Sequence, residues 1–113
     1  MLSATDVVVT GVRSVVHDSD PASRGDTVVF VHGNPGPMED FEPLVKEVSN
    51  FARAFAVDLP GFGRADRPRA FDYSVEGYAR HLGGVLDQCN VGRVHLVMHD
   101  FGGGFGLSWG VPN

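Results

Sequence analysis

Three short apolar runs most constrain what this chain can become: Thr27-Val28-Val29-Phe30-Val31, Phe51 to Val57, and Arg93 to Met98. Each reads as a strand covered on both faces, because none shows the strict polar alternation of a half-solvated strand. Segments with helical spacing lie between them. From Glu39 to Val48 the apolar positions Phe41, Leu44, Val45 and Val48 fall at i, i+3, i+4 and i+7, with Pro43 tolerable only near the helix start. Ser74 is placed to cap a second helix whose Val75, Tyr78, Ala79, Leu82, Val85, Leu86 and Cys89 line one side, and Asn90-Val91-Gly92 closes it. Strand, helix, strand, helix, strand in this rhythm requires right-handed crossovers and a parallel sheet with helices on its faces. Val7-Val8-Val9 and Val12 to Val16, joined by Thr10-Gly11, add an antiparallel pair in front. The expectation is a mostly parallel α/β domain over residues 1–113.

Charge and cysteine content narrow the function classes. The net charge is -5, lysine occurs once, at Lys46, and the arginines are scattered rather than striped, which argues against nucleic acid and anionic membrane as partners. Cys89 stands alone, so neither an intrachain disulfide nor a cysteine-based zinc site is expected, and no other metal site is expected. The first residues lack a basic segment followed by an apolar one, and no apolar run approaches membrane-spanning length. A cytoplasmic protein without cofactor or metal is the expectation.

The third run leads into Met98-His99-Asp100-Phe101-Gly102 and a glycine-rich stretch, the pattern that mounts a nucleophile on a sharp strand-to-helix turn. The apex residue is an aspartate. A serine there suits acyl transfer, whereas a carboxylate suits displacement at an sp3 carbon through a covalent alkyl ester. An exposed aspartate titrates near about 3.9, so it needs no base to attack carbon. Hydrolysis of the resulting ester does need one, usually an imidazole. His17 and His81 read as solvated, and His95 as facing a neighbouring helix. His32 and His99 belong to turns beside the apex, where hydrogen bonds that hold the site's shape are the simpler role.

Other signals compete less well. Gly106-Leu107-Ser108-Trp109-Gly110 matches the serine-elbow pattern, but it follows Asp100 in what should be a helix rather than a strand. The glycine clusters at 61–63 and 102–106 do not complete a dinucleotide-binding spacing. Asp58 is expected to hydrogen-bond within its own turn, and Arg64, Asp66 and Arg67 to brace that loop among themselves.

Three motifs in this order resemble the α/β-hydrolase fold family, in the branch of epoxide hydrolases and haloalkane dehalogenases. They are His32-Gly33-Asn34-Pro35, then Asp58-Leu59-Pro60-Gly61-Phe62-Gly63-Arg64-Ala65-Asp66-Arg67-Pro68, then His99-Asp100-Phe101-Gly102-Gly103. The resemblance implies the N-terminal half of that fold, cut after the nucleophile elbow, with the cap domain and later strands outside residues 1–113. It makes Asp100 the nucleophile. Asn34 and the backbone N–H of Phe101 would stabilise an oxyanion or a departing group, and His32, Gly33, Pro35, His99 and Gly102 would shape the site. The implied partner is a small apolar molecule with an electrophilic carbon.

Several departures bear on the substrate. Dehalogenases pair such an asparagine with a tryptophan after the nucleophile; here Asn34 matches, but Phe101 has no ring donor. Met98 occupies a position where a small residue often relieves crowding. The family's late general-base histidine and its acid partner have no match in residues 1–113, and neither do the cap tyrosines of epoxide hydrolases. The third strand would then lie at the sheet edge, which opens a route to self-association. The alternatives are a non-catalytic remnant or interaction module, and a serine-type esterase.

Overall fold

The computed structural model describes residues 3–23, 25–32, 41–99 and 101–112. Its elements run β1 (Ser3–Val9), β2 (Val12–Asp18), β3 (Thr27–Val31), α1 (Glu42–Val48), β4 (Arg53–Asp58), α2 (Val75–Gln88), β5 (Val94–Met98) and α3 (Phe101–Gly110). The strands form one sheet in the order β1-β2-β4-β3-β5. Thr10 and Gly11 both take positive φ, 50° and 79°, so a two-residue turn whose twist suits a hairpin joins β1 to β2. β2 runs antiparallel to β4, while β3 lies parallel to both β4 and β5.

The two faces of the sheet are packed differently, and the strand alternation shows why. Val29, Val31, Phe55 and Val57 point to the face covered by α2 and α3, where they meet Tyr78, Leu82, Val85, Leu86 and Phe105. Val28, Phe30, Ala54 and Ala56 point the other way, towards Val45 and Val48 of α1 and towards Phe41. Alanine at alternate positions of β4 keeps that face shallow. Every residue of β4 is buried, as its central position requires.

Most elements match the expectation, and the differences are physical. The helix expected from Glu39 is helical over Glu42–Val48, with a proline in its first turn and no side-chain cap; residues 39 and 40 lie outside the described ones. α2 begins where the serine predicted, with Ser74 Oγ accepting from Gly77 N at 3.0 Å. β5 is only partly buried, because among the described residues it pairs with β3 alone.

One buried ion pair anchors the N-terminal end of β4. Arg53 donates through Nε to Asp18 Oδ1 at 3.0 Å and through Nη2 to Asp18 Oδ2 at 2.7 Å. The same guanidinium reaches the carbonyls of Cys89 and Asn90 at the end of α2. The Asp18 hydrogen bond holds Arg53 above its usual range against the opposing effect of burial.

Candidate functional site

The parallel register brings the ends of three strands to one level. Val31 pairs with Val57 on one side and with Met98 on the other, so β3, β4 and β5 all release their chains at the same edge of the sheet. Open parallel sheets place ligands at this carboxyl edge.

The turn after β5 is tight. His99 N donates to Val31 O at 3.2 Å, and Gly102 N donates back to His99 O at 2.9 Å. Only His99 and Asp100 separate the strand from α3. Gly102 is buried, and a Cβ built there would collide with the carbonyl oxygens of Val31 and His32. The start of α3 therefore rests on the backbone that leaves β3, a distance only glycine allows. Met98, where a smaller residue was expected, is accommodated one helical turn on. A Cβ on Gly106 would strike Met98 Sδ, so a glycine in α3 makes the room that the strand residue takes.

His32 leaves β3 and turns inward. It is 1% exposed, and its Nε2 accepts from Leu59 N at 3.1 Å, which leaves the ring proton to Nδ1. Phe62 contacts the same ring edge-on at 4.7 Å between centroids. The imidazole thus joins the exit of β3 to the exit of β4. His99 is exposed and meets the Phe41 ring edge-on at 6.4 Å.

The long loop after β4 is held from several directions. Asp58 is buried, accepts from Arg64 N at 3.5 Å, and faces His17 Nε2 at 3.6 Å. Tyr78 donates its hydroxyl to Pro60 O at 2.7 Å, and burial pushes that phenol up to about 12. Asp66 does not brace the loop with Arg64 and Arg67 as expected. Its carboxylate accepts from Arg13 N at 3.0 Å and Arg13 Nε at 3.3 Å, and Arg13 Nη2 reaches Arg64 O at 2.8 Å. Arg67 does stay within the loop, reaching Gly61 O and Gly63 O. Arg13 carried no local signal, since its partner lies 53 residues away.

Of the residues singled out for the site, His32, His99 and Gly102 come together at the ends of β3 and β5. Phe101 opens α3. Gly33, Asn34, Pro35 and Asp100 lie outside the described residues. Ser108 is exposed within α3, as its position in a helix predicted.

Three histidine readings change. His81 is not solvated: it is 4% exposed and shares a 2.6 Å hydrogen bond with Ser14 Oγ, and burial pulls its pKa down to about 4. Its place beside the apolar line of α2 faces β2, a strand that the helix's own periodicity cannot reveal. His17 is half-buried beside Asp58. His95 points to solvent rather than to a helix, and its Nε2 lies 3.1 Å from Asp26 Oδ2. Among the described residues no cluster of three or more histidine, cysteine or acidic side chains could hold a metal, and no helix is long and apolar enough to cross a membrane.

The profile of the alpha/beta hydrolase fold matches residues 26–110, from the turn before β3 to the last residue of α3. The chain belongs to the α/β hydrolase fold family. Its similarity to 2-hydroxy-6-oxo-2,4-heptadienoate hydrolase of Pseudomonas putida is 35% identity over 93% of this chain and 38% of that protein. Haloalkane dehalogenase of Agrobacterium fabrum is 32% identical over 97% of this chain and 35% of its own length. The crystal structure of an epoxide hydrolase from Vigna radiata superposes with a TM-score of 0.84 at 27% identity, covering 96% of this chain and 35% of that one. The chain therefore spans little more than a third of the length of these relatives.

Proposed function

We propose that this α/β-hydrolase chain carries an aspartate nucleophile, Asp100, that forms an alkyl-enzyme ester by attack on an electrophilic sp3 carbon. One observation carries the reading. Gly102 N donates to His99 O where β5 gives way to α3, and in the sequence a carboxylate residue stands between those two positions. Relatives named haloalkane dehalogenase and epoxide hydrolase support this chemistry. The substrate class is a small apolar halide or epoxide.

In the step itself, a carboxylate oxygen of Asp100 bonds to carbon as the carbon–halogen bond breaks and halide leaves with the electron pair. With an epoxide the ring C–O bond breaks instead, and the alkoxide takes a proton from solvent water. The Phe101 N–H and Asn34 are the donors assigned to the departing group, with His32, Gly33, Pro35, His99 and Gly102 setting the shape. His32 does this by spending Nε2 on Leu59 N. It is a positioning residue rather than the base that would hydrolyse the ester.

Bromide release from 1-bromobutane, counted per mole of chain, tests the reading. A burst of about one equivalent is expected from formation of one covalent ester per site, and Asp100→Asn should remove it. A burst that survives Asp100→Asn would overturn the assignment.

A second reading rests on the similarity to 2-hydroxy-6-oxo-2,4-heptadienoate hydrolase, and would have the site act on an activated carbonyl. It predicts turnover of p-nitrophenyl acetate without a bromide burst. Ser108 is poorly placed to serve it, being exposed on the side of α3 rather than at a turn.

A further inference from the structure

We propose that the cleft between the β1–β2 hairpin, the 68–72 loop and α2 binds a small, neutral, flat molecule of one or two aromatic rings. Its hairpin is at the same carboxyl edge as the β3 and β5 exits, since Val15 pairs with Asp58, but it lies on the far side of the strand order, beside β1 and β2, and its lining shares no residue with the candidate site. Its volume, about 360 Å³, falls within the range of small-molecule sites.

The lining sets the ligand's chemistry. Val9, Val12, Pro68, Ala70 and Phe71 supply apolar walls. Phe71 already belongs to a ring cluster, with edge-on contacts to Tyr73 at 5.0 Å, Tyr78 at 5.3 Å and His81 at 5.6 Å, and a flat ligand would extend that cluster. The charged groups on the lining, Asp72 and Arg80, pair with each other at 2.9 Å, so neither sign of ligand charge gains a free partner from them. His81 also lines the cleft, is held by Ser14, and is uncharged near neutral pH because burial lowers its pKa to about 4. Ser14 is 0% exposed, so of this pair only His81 meets the cleft, and the pair presents no accessible nucleophile.

The cleft is also preformed, which lowers the cost of binding. Tyr73 donates its hydroxyl to Pro68 O at 2.6 Å and Ser74 N donates to Asp72 Oδ1 at 3.0 Å, which fixes both ends of the loop. Asp72 O presses on Gly77 so closely that a Cβ there could not fit, and this joins the loop to α2.

Titration of the ¹⁵N-labelled chain with 2-naphthol, followed by amide shifts, tests the proposal. Saturable shifts clustered at Val9, Thr10, Ala70, Phe71 and His81 are expected. Ala70→Phe, which fills the cleft from an exposed loop position, should weaken binding by about tenfold or more while the spectrum stays dispersed. Shifts centred instead on His99 to Gly102, shifts that never saturate, or undiminished affinity in a dispersed Ala70→Phe spectrum would overturn it. So would an undispersed spectrum of the parent chain, since the cleft exists only in the fold.

Discussion

Two buried polar pairs govern how single residues contribute. His81 is uncharged in the fold because burial lowers its pKa to about 4, whereas the unfolded residue titrates near about 6.5. Below that value the unfolded chain binds the extra proton, so stability is complete above about pH 6.5 and drains away as pH falls towards 4. The loss across that window is on the order of 3 kcal/mol, measured as the change in urea stability between pH 7 and pH 4.5. His81→Gln keeps a polar partner for Ser14 without the titration, and should flatten this dependence. Arg53 and Asp18 are 1% and 6% exposed at their side chains, so removing either strands the other. Arg53→Met should cost about 3–5 kcal/mol in chemical denaturation, and a cost near zero would show that the pair is solvated.

At the scale of elements, the passage from β5 to α3 depends on two glycines for different reasons. Gly102 faces backbone, which cannot yield, so Gly102→Ala should destabilise by about 1–3 kcal/mol. Gly106 faces a flexible methionine side chain, and alanine favours a helix interior by about 1 kcal/mol over glycine. Gly106→Ala should therefore be markedly more favourable in a Met98→Ala background than alone, a coupling that a double-mutant cycle reads directly. Neither glycine's contact was visible in the sequence, which showed the turn and the glycines but not which strand end they would touch. The strands and helices themselves were legible because each is declared by its own spacing: β4 by an apolar run, α2 by Ser74 and its heptad-like face. What escaped was set between elements distant in the chain. Ser14 and His81 are 67 residues apart, Arg13 and Asp66 are 53 apart, and Asp18 and Arg53 are 35 apart, so no local pattern announces them.

Over the whole molecule, one sheet organises everything. Its carboxyl edge gathers His32, Leu59 and His99 through the shared register of β3, β4 and β5, while the β1–β2 hairpin, on the other side of the strand order, supplies the proposed aromatic cleft. The family membership follows from the match over residues 26–110, and the reaction proposed for the chain turns on the residue at position 100. The most direct test of that residue is peptide mapping by tandem mass spectrometry after exposure to styrene oxide, with circular dichroism to verify the fold. The account predicts a single phenyl-hydroxyethyl ester on Asp100. An adduct confined to another side chain, or an unmodified Asp100 peptide from folded protein, would contradict it.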